Sequence, residues 1–118
     1  MRLSRLGKSV SYAWRGVRTV AREERNFRIQ LAAAAAVFAL AAFLPVRPTD
    51  AAILALVTGF VLVLELLNSL LERLVDAMKP RLHPYVAEVK NIAAGAVLVA
   101  ALTAVAVAVC IFVPYLYG

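Results

Sequence analysis

Apolar residues come in three long blocks, preceded by a stretch in which they recur with a helical period. The blocks run from Ile29 to Val46, from Ala51 to about Leu71, and from Ile92 to Tyr117. Only Glu65 interrupts the second with a charge. A hydrocarbon core about 30 Å thick takes roughly 20 helical residues, so each block is long enough to cross it, the first barely. Helices are required there because every backbone amide must find its partner inside its own segment. The five residues "VRPTD", 46–50, hold Pro48 and an N-cap candidate at Thr49 or Asp50. They predict a tight turn that makes the first two spans an antiparallel hairpin.

Before the blocks, Leu3, Leu6, Val10, Ala13, Trp14, Val17 and Ala21 fall near one helical stripe. Arg5, Lys8, Tyr12, Arg15, Arg18 and Arg22 lie on the other side. That pattern predicts an amphipathic helix lying in the membrane interface, basic on its wet face, with Tyr12 and Trp14 at headgroup level. The expected fold is an all-α membrane protein in one domain, residues 1–118. It has a surface helix over 1–28 and transmembrane helices over 29–46, 51–77 and 92–117.

Composition agrees with a lipid solvent. The chain has 118 residues, 64% of them hydrophobic and 17% charged, with a mean hydropathy of +0.84. A soluble domain this small has too much surface to hide that much apolar side chain. The net charge of +6 would suggest nucleic acid in a soluble protein. Here the charges are placed otherwise, and no nucleic-acid partner is expected. Eight of the 13 Lys and Arg residues lie between Arg2 and Arg28, and Arg73, Lys79, Arg81 and Lys90 flank the second loop. Only Arg47 lies across the membrane from them. The positive-inside rule then puts the N-terminus and the 73–90 loop in the cytosol, and the 46–50 loop and C-terminus outside. The leader is too long and too patterned for a signal peptide. Cys110, alone in an apolar run, is expected to be inert.

The second block ends oddly. In "ELLNSLLERLVD", residues 65–76, Glu65, Asn68, Glu72 and Asp76 follow one another at intervals of three, four and four. At 100° per residue Asn68 lies about 60° from Glu65, and Glu72 and Asp76 within about 20° of it. Glu65 is roughly 10 Å inside the end of the apolar run, at 1.5 Å per residue. A carboxylate there costs a few kcal/mol on insertion scales, and such groups usually face protein or a wet cavity. Interhelical glue would need only one polar residue. Clustered carboxylates repel unless a cation or proton intervenes. That cation is Lys90, an arginine of the surface helix, or a divalent metal. Hard oxygens suit magnesium, held by one or two carboxylates together with phosphate oxygens.

The loop "KPRLHPYVAEVKN" adds Arg81, His83 and Lys90 on the same side. Acids, a metal and bases at one membrane face are the parts of a phosphoryl-transfer site, with the donor coming from water and the acceptor from lipid. "GKS", Gly7 to Ser9, is a decoy: a phosphate-binding loop needs glycine where Arg2 stands, and a preceding strand.

These motifs resemble those of the small bacterial integral-membrane lipid kinases, the diacylglycerol kinase and undecaprenol kinase family. "ELLNSLLERLVD" is similar to the family's E-x-x-N-[ST]-x-x-E-x-x-V-D. "EERNFRI", "SYAWRG" and "HPYVAEVKNIAAGAVL" resemble further segments in the family's order. The resemblance covers nearly the whole chain and leans toward the undecaprenol kinase branch. It implies a homotrimer with active sites shared between subunits, in the bacterial inner membrane, using ATP and Mg2+. By position, Glu65 would be the general base and Asn68 would place the reacting groups. Glu24 and Glu72 would hold magnesium and the ATP phosphates, and Lys90 would contact phosphate. Arg5, Tyr12, Arg81, Leu82 and His83 would touch the nucleotide, and Asp76 would fix its far end. Arg5 and Trp14 would border the lipid substrate beside Glu65. Asn91 stands where the family usually has Asp, next to the motif lysine, which bears on ATP affinity. Undecaprenol is the expected acceptor and diacylglycerol the alternative. A transporter or non-catalytic scaffold is the remaining reading; the apolar outer half of each span offers no polar path for transport.

Overall fold

The structure, a computed structural model, describes residues 2–78, 81 and 83–117, with His83 described by its backbone alone. Helix α1 spans Arg2–Glu23, α2 Arg25–Phe43, α3 Pro48–Ala77 and α4 Val86–Tyr117, with a short 3-10 turn at His83–Tyr85. The fold is all-helical, as the periodicity predicts. Among the described residues, three helices, α2, α3 and α4, are long and apolar enough to cross a membrane.

The helices start before the apolar blocks start, while α2 ends at Phe43, short of Val46. α2 starts at Arg25 rather than Ile29, α3 at Pro48 rather than Ala51, and α4 at Val86 rather than Ile92. Intrahelical hydrogen bonding is indifferent to side-chain polarity, so a spanning helix runs on past the hydrocarbon edge. The N-cap of α3 is Arg47, with φ −62° and ψ 147°, not Thr49 or Asp50. Pro48 explains this: its fixed φ and missing N–H suit the first helical position, and it holds the residue before it extended.

The surface helix ends earlier than expected. Glu24 is extended, with φ −108° and ψ 111°, and separates α1 from α2 by one residue. The Arg28 guanidinium donates to the carbonyls of Ala21 at 3.0 Å and Arg22 at 2.8 Å. It thus satisfies part of the orphaned C-terminal end of α1 with a favourable charge. Leu3, Leu6, Val10 and Trp14 remain exposed, so the chain does not itself cover the apolar stripe of α1.

α3 packs chiefly on α4 and less on α2. The tightest packing surrounds Leu54, Ile111 and Phe112, with Val37, Ala41, Val107 and Ala108 against them. A polar clasp closes the same end. The Tyr115 hydroxyl donates to Asp50 Oδ2 at 2.7 Å and accepts the Arg47 backbone N–H at 3.0 Å. Large side chains such as Leu56, Val99, Leu102 and Val105 point outward and stay exposed, as they should where the surroundings are lipid or other apolar helices.

Candidate active site

Six polar residues of α3 build the site: Glu65, Asn68, Ser69, Glu72, Arg73 and Asp76. Helical spacing gathers them into a band about 140° wide, counted at 100° per residue. Burial falls along it. Glu65 is 3% exposed and Asn68 9%, Glu72 is half-buried, and Asp76 is exposed. The innermost group is therefore a carboxylate almost wholly removed from water.

Glu65 is held from a neighbouring helix. Gln30, about one turn into α2, donates from Nε2 to Glu65 Oε2 at 3.3 Å. Glu24 and Glu72 lie near enough for their charges to act on Glu65. Glu24 comes in from the one-residue break between α1 and α2. Its Oε1 accepts the Ser69 hydroxyl at 3.2 Å. Asn68 Nδ2 comes within 3.4 Å of Glu72 Oε1, and Asn68 Oδ1 is buried with no hydrogen-bond partner among the described residues.

The cation beside Glu23 and Glu24 is neither Lys90 nor an arginine of the surface helix. Arg73 of α3 pairs with Glu23 at 2.5 Å, approaches Glu24 Oε1 at 3.9 Å, and donates from Nε to Ser69 Oγ at 3.4 Å. Lys90 instead pairs with Asp76 at 2.7 Å, tying the start of α4 to the end of α3. The expected phosphate contact and the expected nucleotide-end acid are thus partners here. Gln30, Ser69 and Arg73 are not among the site residues expected from the sequence. Gln30 carries the only signal that helical spacing offers, an amide at the polar edge of the first block. Ser69 and Arg73 sit about 40° and 80° from Glu65 on the wheel, off the acidic line.

The remaining expected residues are not drawn in by this chain alone. Arg5, Tyr12 and Trp14 lie on α1 roughly 27, 17 and 14 Å before its end at Glu23, at 1.5 Å per residue, and all three are exposed. The Arg15 guanidinium stands 5.7 Å from the Tyr12 ring centre. Arg81 and Asn91 are exposed, Asn91 following Lys90 in α4. Leu82 and the His83 side chain lie outside the described residues.

The donor set suits magnesium. Among the described residues, no three His, Cys, Asp or Glu side chains close into a metal cage. Magnesium does not need one: it takes one or two carboxylates and leaves other positions to water and phosphate. Glu24 and Glu72 supply such carboxylates, and the unpartnered Asn68 oxygen is a hard donor beside Glu72.

α1 and α3 also line an open cavity of ≈ 390 Å³ whose wall includes Gly16, Val20, Leu66, Ser69 and Arg73. A smaller one, ≈ 160 Å³ and almost entirely apolar, lies between α2, α3 and α4 and begins at Gln30.

Comparison with known proteins identifies the family. The family model described as prokaryotic diacylglycerol kinase matches residues 11–112. A diacylglycerol kinase of Synechocystis sp. is 41% identical over 107 residues, which are 90% of this chain and 61% of that protein's length. An undecaprenol kinase of Bacillus subtilis is 38% identical over 97% of this chain and 93% of its own length. A diacylglycerol kinase of Escherichia coli is 29% identical over 86% of this chain and 84% of its own length. A matched model across most of its residues and relatives this similar show that the chain belongs to the prokaryotic diacylglycerol kinase family, a family of lipid kinases.

Proposed function

We propose that this protein transfers the γ-phosphoryl group of ATP to the hydroxyl of a membrane lipid alcohol, with undecaprenol as acceptor and undecaprenyl phosphate as product. The observation that carries the reading is Glu65, a carboxylate 3% exposed in a spanning helix and hydrogen-bonded by Gln30. A group so placed is expensive, and ionisable residues inside spanning helices usually mark functional sites. The Bacillus subtilis relative named as an undecaprenol kinase, matched over 93% of its length, supports the choice of acceptor. Diacylglycerol is the second reading, supported by the relatives of that name.

Glu65 accepts the proton of the lipid hydroxyl as its oxygen attacks phosphorus in line. Asn68, on the next turn, holds the reacting groups in register. Glu24 and Glu72 would hold Mg2+, which when bound offsets the charge on the phosphates. Lys90 contacts phosphate, leaving Asp76 to the nucleotide's far end. Most of the rate comes from fixing two reactants drawn from different phases, so positioning dominates.

Arg5, Tyr12 and Trp14 stand well up α1 from their own acidic cluster, which fits a homotrimer in which one subunit's surface helix serves a neighbour's site. Arg5 and Tyr12 then meet the nucleotide with Arg81, Leu82, His83 and Asn91, while Arg5 and Trp14 border the lipid. The basic N-terminal half puts this face in the cytosol and the C-terminus outside.

The test is phosphate transfer from labelled ATP by purified protein in detergent, with undecaprenol and diacylglycerol presented side by side. Labelled undecaprenyl phosphate as the main product is expected. A product from diacylglycerol alone selects the second reading, and no labelled lipid from either removes the kinase assignment.

A further inference from the structure

Gln30 is polar on a helix that is otherwise apolar from Ile29 to Phe43. Its hydrogen bonding is half complete. A carboxylate offers only acceptors, so the amide must turn Nε2 toward Glu65, as it does at 3.3 Å. That leaves Oε1 inside the protein, and this oxygen is buried with no donor among the described residues. A buried carbonyl without a donor costs free energy that a ligand's O–H can recover.

The same residue begins the apolar cavity of ≈ 160 Å³ between α2, α3 and α4. Ala34, Val37, Val57, Ala104 and Ala108 line it further out. Its only other polar side chain, Thr58, has its hydroxyl hydrogen committed to the Leu54 carbonyl at 2.7 Å. The cavity thus offers hydrocarbon walls and, at one end, a hydrogen-bond acceptor next to a carboxylate. That chemistry matches a monohydroxylic alcohol with a purely hydrocarbon chain. A glycerolipid fits it less well, because its ester carbonyls sit within a few bonds of the hydroxyl and would enter an apolar space with acceptors and no donors.

Resting on the kinase reading above, we propose that Gln30 is a positioning residue for the lipid acceptor. Its Nε2–H fixes the Glu65 carboxylate, its Oε1 receives the docking hydroxyl, and the cavity beyond holds the first carbons of the alcohol's chain. The hydroxyl donates to Gln30 Oε1 on arrival and then rotates its hydrogen to Glu65. During transfer the new bond joins alcohol oxygen to phosphorus, the ADP oxygen leaves with its electron pair, and the proton ends on Glu65.

Steady-state kinetics on the purified full chain test this, varying undecaprenol and ATP separately. Gln30→Leu keeps the volume and removes both hydrogen bonds. It should raise KM for the alcohol about tenfold and lower kcat about tenfold, leaving KM for ATP unchanged. Gln30→His keeps one donor and one acceptor on a neutral ring and should recover most of both losses. Ala104→Leu narrows the cavity and should raise KM for the alcohol with kcat little changed. The rival route is the wider cavity between α1 and α3, which Gly16→Leu would narrow. Unaltered alcohol kinetics in Gln30→Leu, or a parallel rise in KM for ATP, overturns the positioning role. A KM effect from Gly16→Leu but none from Ala104→Leu overturns the assigned chain path. Turnover by the unsubstituted protein in the same assay separates these outcomes from failure of the kinase reading, in which no lipid is labelled at all.

Discussion

Replacing Glu65 by glutamine separates chemistry from architecture, because this structure gives the two effects opposite signs. The side chain keeps its shape and loses its charge. As a base, Glu65 contributes through proton transfer, an effect worth about 10²–10⁴ in rate. A kcat about 10³-fold lower is therefore expected, about 4 kcal/mol of barrier at 1.36 kcal/mol per decade. The fold has no matching reason to suffer. Gln30 Nε2 can still donate to an amide oxygen in place of Glu65 Oε2. The buried acid gives way to a neutral amide, and the cost of holding a carboxylate in a spanning helix, about a few kcal/mol on insertion scales, goes with it. The assay is initial rate with labelled ATP and undecaprenol in micelles, alongside thermal unfolding followed by circular dichroism. The expected pair of results is a steep loss of kcat with an unchanged or higher midpoint. Turnover within fivefold of the parent would refute the role as base. A lower unfolding midpoint would refute the claim that this carboxylate burdens the fold.

Glu72→Gln and Glu24→Gln should each raise the magnesium concentration needed for half-maximal rate by about tenfold, since magnesium is typically held by only one or two carboxylates. A magnesium titration at fixed ATP checks this, and an unmoved half-point in both variants rules the pair out as ligands. Tyr115→Phe removes the hydroxyl that serves both Asp50 and Arg47. It should lower stability by about 2 kcal/mol, one neutral and one charged hydrogen bond together, with kcat unchanged below the transition. Denaturation in mixed micelles gives the first quantity, and a loss of kcat in the folded protein would contradict the second.

The sequence was most informative where one physical demand dominated. Bilayer thickness and the need to satisfy the backbone locally make the three spans legible from hydropathy alone. Helical period makes the α1 stripe and the Glu65–Asn68–Glu72 line legible in the same way. The boundaries were less so, because hydropathy marks where lipid ends and hydrogen bonding marks where a helix ends. Pro48 moved the N-cap to Arg47, and Arg28 capped a helix that broke at Glu24. The partners of the acids were least legible. Gln30, Ser69 and Arg73 meet Glu65 and Glu24 only through the bend and the packing of α2 on α3, and pairings between helices leave no period in a single chain. Charge counting groups Lys90 with the basic residues of the second loop, but its partner, Asp76, is set by how α4 returns along α3.

The Tyr115 clasp and the Leu54–Ile111–Phe112 cluster lie at one extremity of the bundle, and Leu54 is about 17 Å along α3 from Glu65, at 1.5 Å per residue. The two ends of α3 are therefore fastened by different means. One is held by close apolar packing around Leu54 and a single tyrosine hydroxyl. The other adds the ion pairs Arg73–Glu23 and Lys90–Asp76 to the buried Phe27 and Val75, so salt should loosen the second end more than the first.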